Sequence, residues 1–470
     1  MKHHTWVTRT GIASGLLLAS ASAAWADSRD DEIRLLREQI QQLDQKLRVL
    51  ERKQELKDEE SAAAGKAAAK VTATDRSFAL GSPDGLTSLR LRGLVQADSR
   101  WFFGDNVSNN DAFLLRRARI IFEGTFNKLY EFQLVPEFGG TSGNGSLTLQ
   151  DANINVALKP ELQIRFGRFR EPVGLEQLQS DSVAFFAERS IVSQFTPNRD
   201  LGVQVSGDVL GGKLSYAVGV FNGVADGANN ANNSDTNDDK DVAARLFAHP
   251  FKDSTGALSG LGIGIAGSVG RQSTTAGATS TLTGGYRTDA QQTWFSYRSG
   301  VVAEGDTFRV SPQAYYYHGP LGVMAEYVVS GVEARNGVNR RKLEHKAWQL
   351  AAGYVLTGED AGYRGVSPKQ NFAADFSTLG AFEVVGRVSG ASIDREAFAG
   401  GSVSLANPNT AARDITSYGI GLNWYLSRAV RASVDAFHSD FSYAPGASPA
   451  NATVIAEDEN ALITRLQVAF

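Results

Sequence analysis

The sequence predicts an all-β fold, a transmembrane antiparallel barrel of about sixteen strands behind a short N-terminal helix. Three observations carry this expectation. From about residue 87, apolar and polar residues alternate with period 2 in repeated segments bounded by turn residues. Tight turns alternate with long polar loops along the same region. No stretch reaches the roughly eighteen consecutive apolar residues that a membrane-crossing helix needs. The 48 glycines and only two methionines in 470 residues fit one large β-structure better than several soluble domains.

The elements follow in order. Lys2 and Arg9 precede the short apolar run "GIASGLLLASASAAWA", which ends in the small-residue pattern Ala24-Trp25-Ala26. This reads as a secretory signal peptide over residues 1–26, with the mature chain starting at Asp27. Its removal takes the formal charge from −4 to −6, because Lys and Arg fall from 47 to 45 while 51 acids remain. Cysteine is absent, which excludes disulfides, thiolate metal sites, a lipoprotein anchor cysteine and cysteine nucleophiles.

In residues 27–60, Ile33, Leu36, Ile40, Leu43, Leu47 and Leu50 repeat at alternating spacings of three and four. Apolar residues at heptad a and d positions predict a short coiled coil, placed in the periplasm. Residues 61–86, which open with "SAAAGKAAAK", read as a linker. The barrel then spans 87–470. "ANINVAL" alternates Ala152, Ile154, Val156 and Leu158 with Asn153, Asn155 and Ala157. "YEFQLVPEF" alternates similarly, although Pro136 interrupts the ladder.

Tight turns fall at "FNKLY", "LKPEL", "LGGKL", "YHGPL" and "YLSRAV". Placing each at the periplasmic end gives about sixteen strands, an even number as such barrels require. "QQTWFSYR" then belongs to a long outer loop. The closing "ALITRLQVAF" alternates to a terminal aromatic and reads as the last strand. This architecture implies a bacterial, Gram-negative outer membrane, with lipid as a partner.

Eight segments occur in one order: "FLLRRARIIFEG", "GRFREPVGLEQL", "FFAERS", "RDLGVQVSG", "QAYYYHGPLGVMAEYV", "WQLAAGYVLTGE", "GAFEVVGRVS" and "YGIGLNWYLS". Together they resemble the phosphate-selective porin O and P family over residues 87–470. The resemblance implies a sixteen-stranded homotrimeric barrel, a third outer loop folded inward, and an anion pore lined by arginines. That loop is the stretch of about 170–200, where Gly and Pro turn the chain and Phe185 and Phe186 are expected to pack on the inner wall. The family commonly has lysine where Arg170 stands.

A pore selects anions with rings or ladders of fixed cations, and arginine adds a planar donor fork. On the second strand, Ala118, Ile120 and Phe122 share the lipid-facing parity, which turns Arg117 and Arg119 to the lumen. Arg116 has the wrong parity, which places it at a bulge or a strand end. Around the third loop the candidates are Arg168, Arg170 and Arg189; alternatively Arg170 and Arg189 brace the loop by pairing with Glu171 or Glu188. Arg90, Arg92, Arg165, Arg309 and Arg387 also have inward parity.

The leading reading is therefore a passive anion-selective channel for phosphate or a related oxyanion, including pyrophosphate or polyphosphate. A general or differently selective porin on the same scaffold is the second reading. A barrel enzyme such as a lipase, or a structural barrel, is a third. Only His249, His318, His345 and His438 remain after signal removal, and neither H-E-x-x-H nor G-x-S-x-G occurs. No catalytic residue, cofactor, metal or nucleic-acid partner is expected. Asp235, Asn237 and Asp239 alternate, but without the glycine and glutamate of a calcium loop they read as a solvated outer loop.

Overall fold

The computed structural model describes residues 24–75, 77–103, 110–140, 147–230, 238–272, 282, 285–447 and 458–470. Residues 1–23 of the expected signal peptide, and Asp235 and Asn237, lie outside the described residues. The chain divides into two units, Met1–Ala68 and Ala69–Phe470.

The first unit contains one helix, Ala24–Ala67. The heptad residues Ile33, Leu36, Ile40, Leu43, Leu47 and Leu50 form an apolar stripe that is between 45% and 64% exposed. On the polar surface Asp44 and Arg48 pair across one turn at 3.0 Å. The helix extends into the segment read as a linker because its run of alanines is intrinsically helix-forming.

The second unit opens with a hairpin, Lys70–Thr74 and Ser77–Gly81, whose second strand pairs with the start of the barrel at Phe78↔Leu91. The large sheet has eighteen strands, of which these two form the hairpin and sixteen form the barrel. The first barrel strand is Ser88–Phe103 and the last is Asp458–Ala469. They pair antiparallel from Asn460↔Phe103 to Ala469↔Leu94, which closes the ring. Phe470 continues this closure: its N–H donates to the Gly93 carbonyl at 3.0 Å, and Gly93 N–H donates to its carbonyl at 2.7 Å.

A Cβ on Gly93 would stand 2.5 Å from Phe470 Cζ, so the terminal ring lies directly over this glycine. Gly93→Ala must displace the ring, at a cost of about 1–3 kcal/mol. The expected result is a lower unfolding temperature for the detergent-solubilised barrel, read by heat-dependent gel migration.

The wall is apolar outside and polar inside. Val95, Leu115, Ile120, Ile154, Phe166, Ile265 and Ile420 are exposed, while Gln96, Asp98, Asn155, Ser311, Glu326, Ser389 and Arg465 are buried. This inversion suits a barrel with lipid outside and a polar lumen. Pro136 sits at a register irregularity between the third strand, Tyr130–Glu137, and the fourth, Thr148–Lys159, so the ladder tolerates its missing donor.

Two connections depart most from the alternation of short and long. At the end bearing the third loop, Asn336 and Asn339 pair across only Gly337 and Val338, with Gly337 at φ +58°. This is a tight hairpin whose first central residue favours glycine. At the opposite end, connection 356–380 is long, and it reaches inward: Tyr363 Oη donates to the Leu175 carbonyl at 2.6 Å. The "TWF" of the expected outer loop forms a short strand, Thr293–Phe295, paired with Tyr286–Arg287 outside the barrel sheet. Its Trp294 and Phe295 join Phe195, Ile393, Leu405 and Ile415 in the largest apolar cluster.

Candidate functional site: a guanidinium partition across the lumen

The third loop, residues 171–198, runs between the fifth strand, Leu162–Arg170, and the sixth, Arg199–Val209. It contains a one-turn helix, Leu175–Leu178, and a 3-10 turn, Ile191–Phe195. Polar side chains on the inner wall satisfy its backbone. The Glu326 carboxylate accepts from the N–H groups of Leu175 and Glu176 at 2.8 and 3.1 Å. Asp435 accepts from Ala187 N–H at 2.7 Å, and Arg431 donates to the Ala184 carbonyl at 2.8 Å. Phe186 lies 5.5 Å from the Phe437 ring, with the Arg387 guanidinium 4.4 Å from its face. These contacts hold the loop against strands far along the chain, and two cavities lie beside the second to sixth strands.

Two loop carboxylates dominate the electrostatics. Asp181 sits among four arginines: Arg170 at 3.2 Å, Arg117 at 3.5 Å, and Arg119 and Arg189 in direct contact. Burial alone would raise its pKa, but the surrounding guanidinium groups hold its carboxyl well below the usual range. Glu188 accepts a two-point fork from Arg116 at 2.6 and 3.0 Å and also meets Arg100 at 2.6 Å and Arg465 at 3.2 Å. Burial again opposes the charge, and again the arginines hold the pKa well down.

Arg116 reaches Glu188 because it is the extra residue at a bulge. Gln96 pairs with Arg117 and Ala97 with Leu115, which leaves Arg116 unpaired between them. Arg117 and Arg119 then face the lumen. Arg119 also contacts Glu137, and Arg199 meets Asp151 at 3.1 Å.

Two chambers meet at this cluster. One, of about 560 Å³, opens toward the third loop's end of the barrel. The other, of about 340 Å³, leads toward the opposite end past Arg92, Arg165 and Ser180. Arg119, Asp181 and Arg199 line both and form the partition between them. Around it Arg117, Arg119, Arg170, Arg189 and Arg199 face Glu137, Asp151 and Asp181. Five positive charges against three negative leave an excess of two.

The candidate arginines separate into groups. Arg117, Arg119, Arg170 and Arg189 converge on Asp181, and Arg170 and Arg189 both donate to the Gln179 carbonyl, at 2.8 and 2.7 Å. Their common carboxylate is Asp181, where sequence reasoning offered Glu171 or Glu188. Arg168 and Arg170 stand on the fifth strand, with Arg170 its last residue. Arg168 shares the parity of the exposed Phe166, and its Nε donates to the Gln150 carbonyl at 3.1 Å. Arg90 and Arg92 lie near Glu123, at 3.9 and 3.0 Å, beyond the partition. Arg165 lies 5.4 Å from the Phe169 ring and lines the 340 Å³ chamber. Arg309 pairs with Asp226 at 2.7 Å, and Arg387 with Asp289 at 2.5 Å, away from the partition.

Sequence reasoning missed Asp181, Arg100, Arg199 and Arg465, and offered Glu188 to Arg170 or Arg189, whereas it pairs with Arg100, Arg116 and Arg465. For Arg100 and Arg465 a signal existed, since each has inward parity on a strand already recognised. Among the described residues no cluster of His, Asp and Glu is arranged to hold a metal ion.

The fold is shared with solved outer-membrane proteins. The trimer form of in-vitro-folded OmpT of Vibrio cholerae superposes with TM-score 0.50 and 11% identity, covering 82% of this chain and 99% of that one. The outer membrane channel DcaP of Acinetobacter baumannii gives 0.50 and 11%, over 82% and 97%. Salmonella typhi OmpF, in complex with daunomycin, gives 0.50 and 12%, over 85% and 100%. Among curated proteins no sequence matches this chain. The model of the family "Phosphate-selective porin O and P" matches residues 89–470, nearly the whole barrel unit. With the sixteen-stranded closed barrel, this match shows that the chain belongs to the phosphate-selective porin O and P family.

Proposed function

We propose that the protein is a passive, anion-selective outer-membrane channel for phosphate or a related oxyanion, and that the guanidinium partition is its selectivity filter. The observation that carries the reading is the excess of two positive charges where the two chambers meet. Guanidinium forks match oxyanion geometry, and several partly neutralised arginines hold an anion weakly enough to release it. Pyrophosphate and short polyphosphate share this chemistry. The loop end faces the outside and the helix lies in the periplasm, exported by the signal peptide over residues 1–26.

The test is single-channel recording with phosphate added to chloride. Phosphate should block chloride current in a saturable manner. The block should weaken as salt rises, because the Debye length falls to roughly 8 Å at about 0.15 M. A general porin on the same scaffold is favoured by one observation, the pairing of each partition arginine with a carboxylate. Under that reading phosphate leaves the chloride current unchanged.

The assembly we propose is a homotrimer. A six-residue apolar stripe exposed on the helix supports association through a coiled coil. So short a coil follows the symmetry of the barrels, because under three heptads are marginal alone. Removing residues 27–60 should leave a trimer that dissociates at lower temperature on a gel. Monomers alone from that truncation would show that the helix sets the assembly.

A further inference from the structure

Beyond the arginines, the partition contains a group that competes with the cargo. We propose that Asp181 is a tethered competitor for the anion, a carboxylate that occupies the guanidinium cluster and sets how tightly a passing oxyanion is held. The inference rests on the channel reading above and deepens it.

Three observations carry it. First, Asp181 stands at the junction itself, lining both chambers together with Arg119 and Arg199. Second, its two oxygens take the contacts an oxyanion would take: Arg170 Nη2 at 3.2 Å, Arg117 Nη2 at 3.5 Å, and the terminal nitrogens of Arg119 and Arg189. Third, its backbone is held from behind, with its carbonyl accepting from Gln96 Nε2 at 3.1 Å. The carboxylate is therefore presented to the cluster by the wall and cannot diffuse away.

A tethered group acts at an effective concentration of about millimolar or more. A free anion then binds with an apparent dissociation constant equal to its intrinsic value divided by the fraction of time the cluster is open. Four arginines without a counter-ion would trap an oxyanion. With Asp181 among them, each passing anion meets a competitor that helps to expel it. Conduction needs this combination of entry and release.

Asp181→Asn removes the charge and keeps the shape and the side-chain carbonyl acceptor. In planar bilayers the phosphate concentration that half-blocks chloride current should fall at least about tenfold, a change worth about 1.4 kcal/mol. The reversal potential in a potassium chloride gradient should move further toward that of chloride. Asp181→Glu restores the charge and should return both readings toward wild type.

A purely structural role predicts the opposite. Loosening the third loop would widen the pore, raise conductance for both ions and lower anion preference. That result, or unchanged block and reversal potential in Asp181→Asn, would overturn the proposal. If the wild type shows no anion preference, the channel reading fails, and the proposal with it. An anion-selective wild type with an unaltered Asp181→Asn overturns the competitor alone.

Discussion

Replacing Arg170 and Arg189 together with alanine is expected to abolish anion preference and the phosphate block while the barrel still assembles. The double substitution leaves Arg117, Arg119 and Arg199 facing Glu137, Asp151 and Asp181, so the excess of two charges disappears. One unit charge about 4 Å from an anion is worth on the order of 4 kcal/mol at an effective dielectric near 20, and roughly 1 kcal/mol in bulk water. Anion desolvation offsets much of this, so the loss should appear as at least a tenfold fall in anion-over-cation permeability, about 1.4 kcal/mol.

Both arginines also hold the Gln179 carbonyl. The loop nonetheless keeps its bonds to Glu326, Asp435 and Arg431, which fix it on either side. The pair Arg170→Lys and Arg189→Lys separates charge from geometry. It keeps the charge without the planar fork and should retain anion preference with a weaker phosphate block. Wild-type reversal potentials in the alanine double variant would contradict this assignment.

Glu188→Gln is expected to loosen the third loop where it meets the first, second and last barrel strands. Glu188 is the shared partner of Arg100, Arg116 and Arg465, and neutralising it leaves Arg100 and Arg465 with Asp98 and takes the carboxylate fork from Arg116. Removing one partner of a buried ion pair costs about 3–5 kcal/mol. Proteolysis within residues 171–198 should become fast, and single-channel conductance should rise as the pore widens. A protease-resistant loop with wild-type conductance would show that Glu188 does not clamp it.

Mild acid should not imitate this variant. A depressed carboxylate pKa contributes stability that is full above the unfolded value, about 4.3 for Glu, and is lost as pH falls through the folded value. Because that folded value lies well below the ordinary one, the clamp should survive from pH 7 to pH 5.

Much of the wall was legible because a barrel strand has one dominant constraint. Each residue faces lipid or lumen, and the alternation is visible in "ANINVAL" and "ALITRLQVAF" alone. The same parity exposed Arg116 as an exception, and a bulge is its physical cause. The charge balance of the site was not legible. Asp181 and Glu188 lie on a loop without periodicity, and their partners are distant in sequence: Arg117 is 64 residues from Asp181, and Arg465 is 277 from Glu188.

Arg199 occupies the first position of its strand, where alternation is not yet established. Arg168 has the strand parity of the exposed Phe166 yet is itself buried, a placement that alternation alone does not foretell. The inward reach of connection 356–380 was also hidden, because Tyr363 meets Leu175 across 188 residues of chain.

Net positive charge at the partition, if it selects anions, sets the sign of the current through the channel in a salt gradient. The most direct test is the zero-current potential of the wild-type channel in a bilayer separating high from low potassium chloride, both below about 0.15 M so that screening stays weak. The potential should lie close to the chloride equilibrium potential. A potential of the opposite sign, on the potassium side, would contradict it.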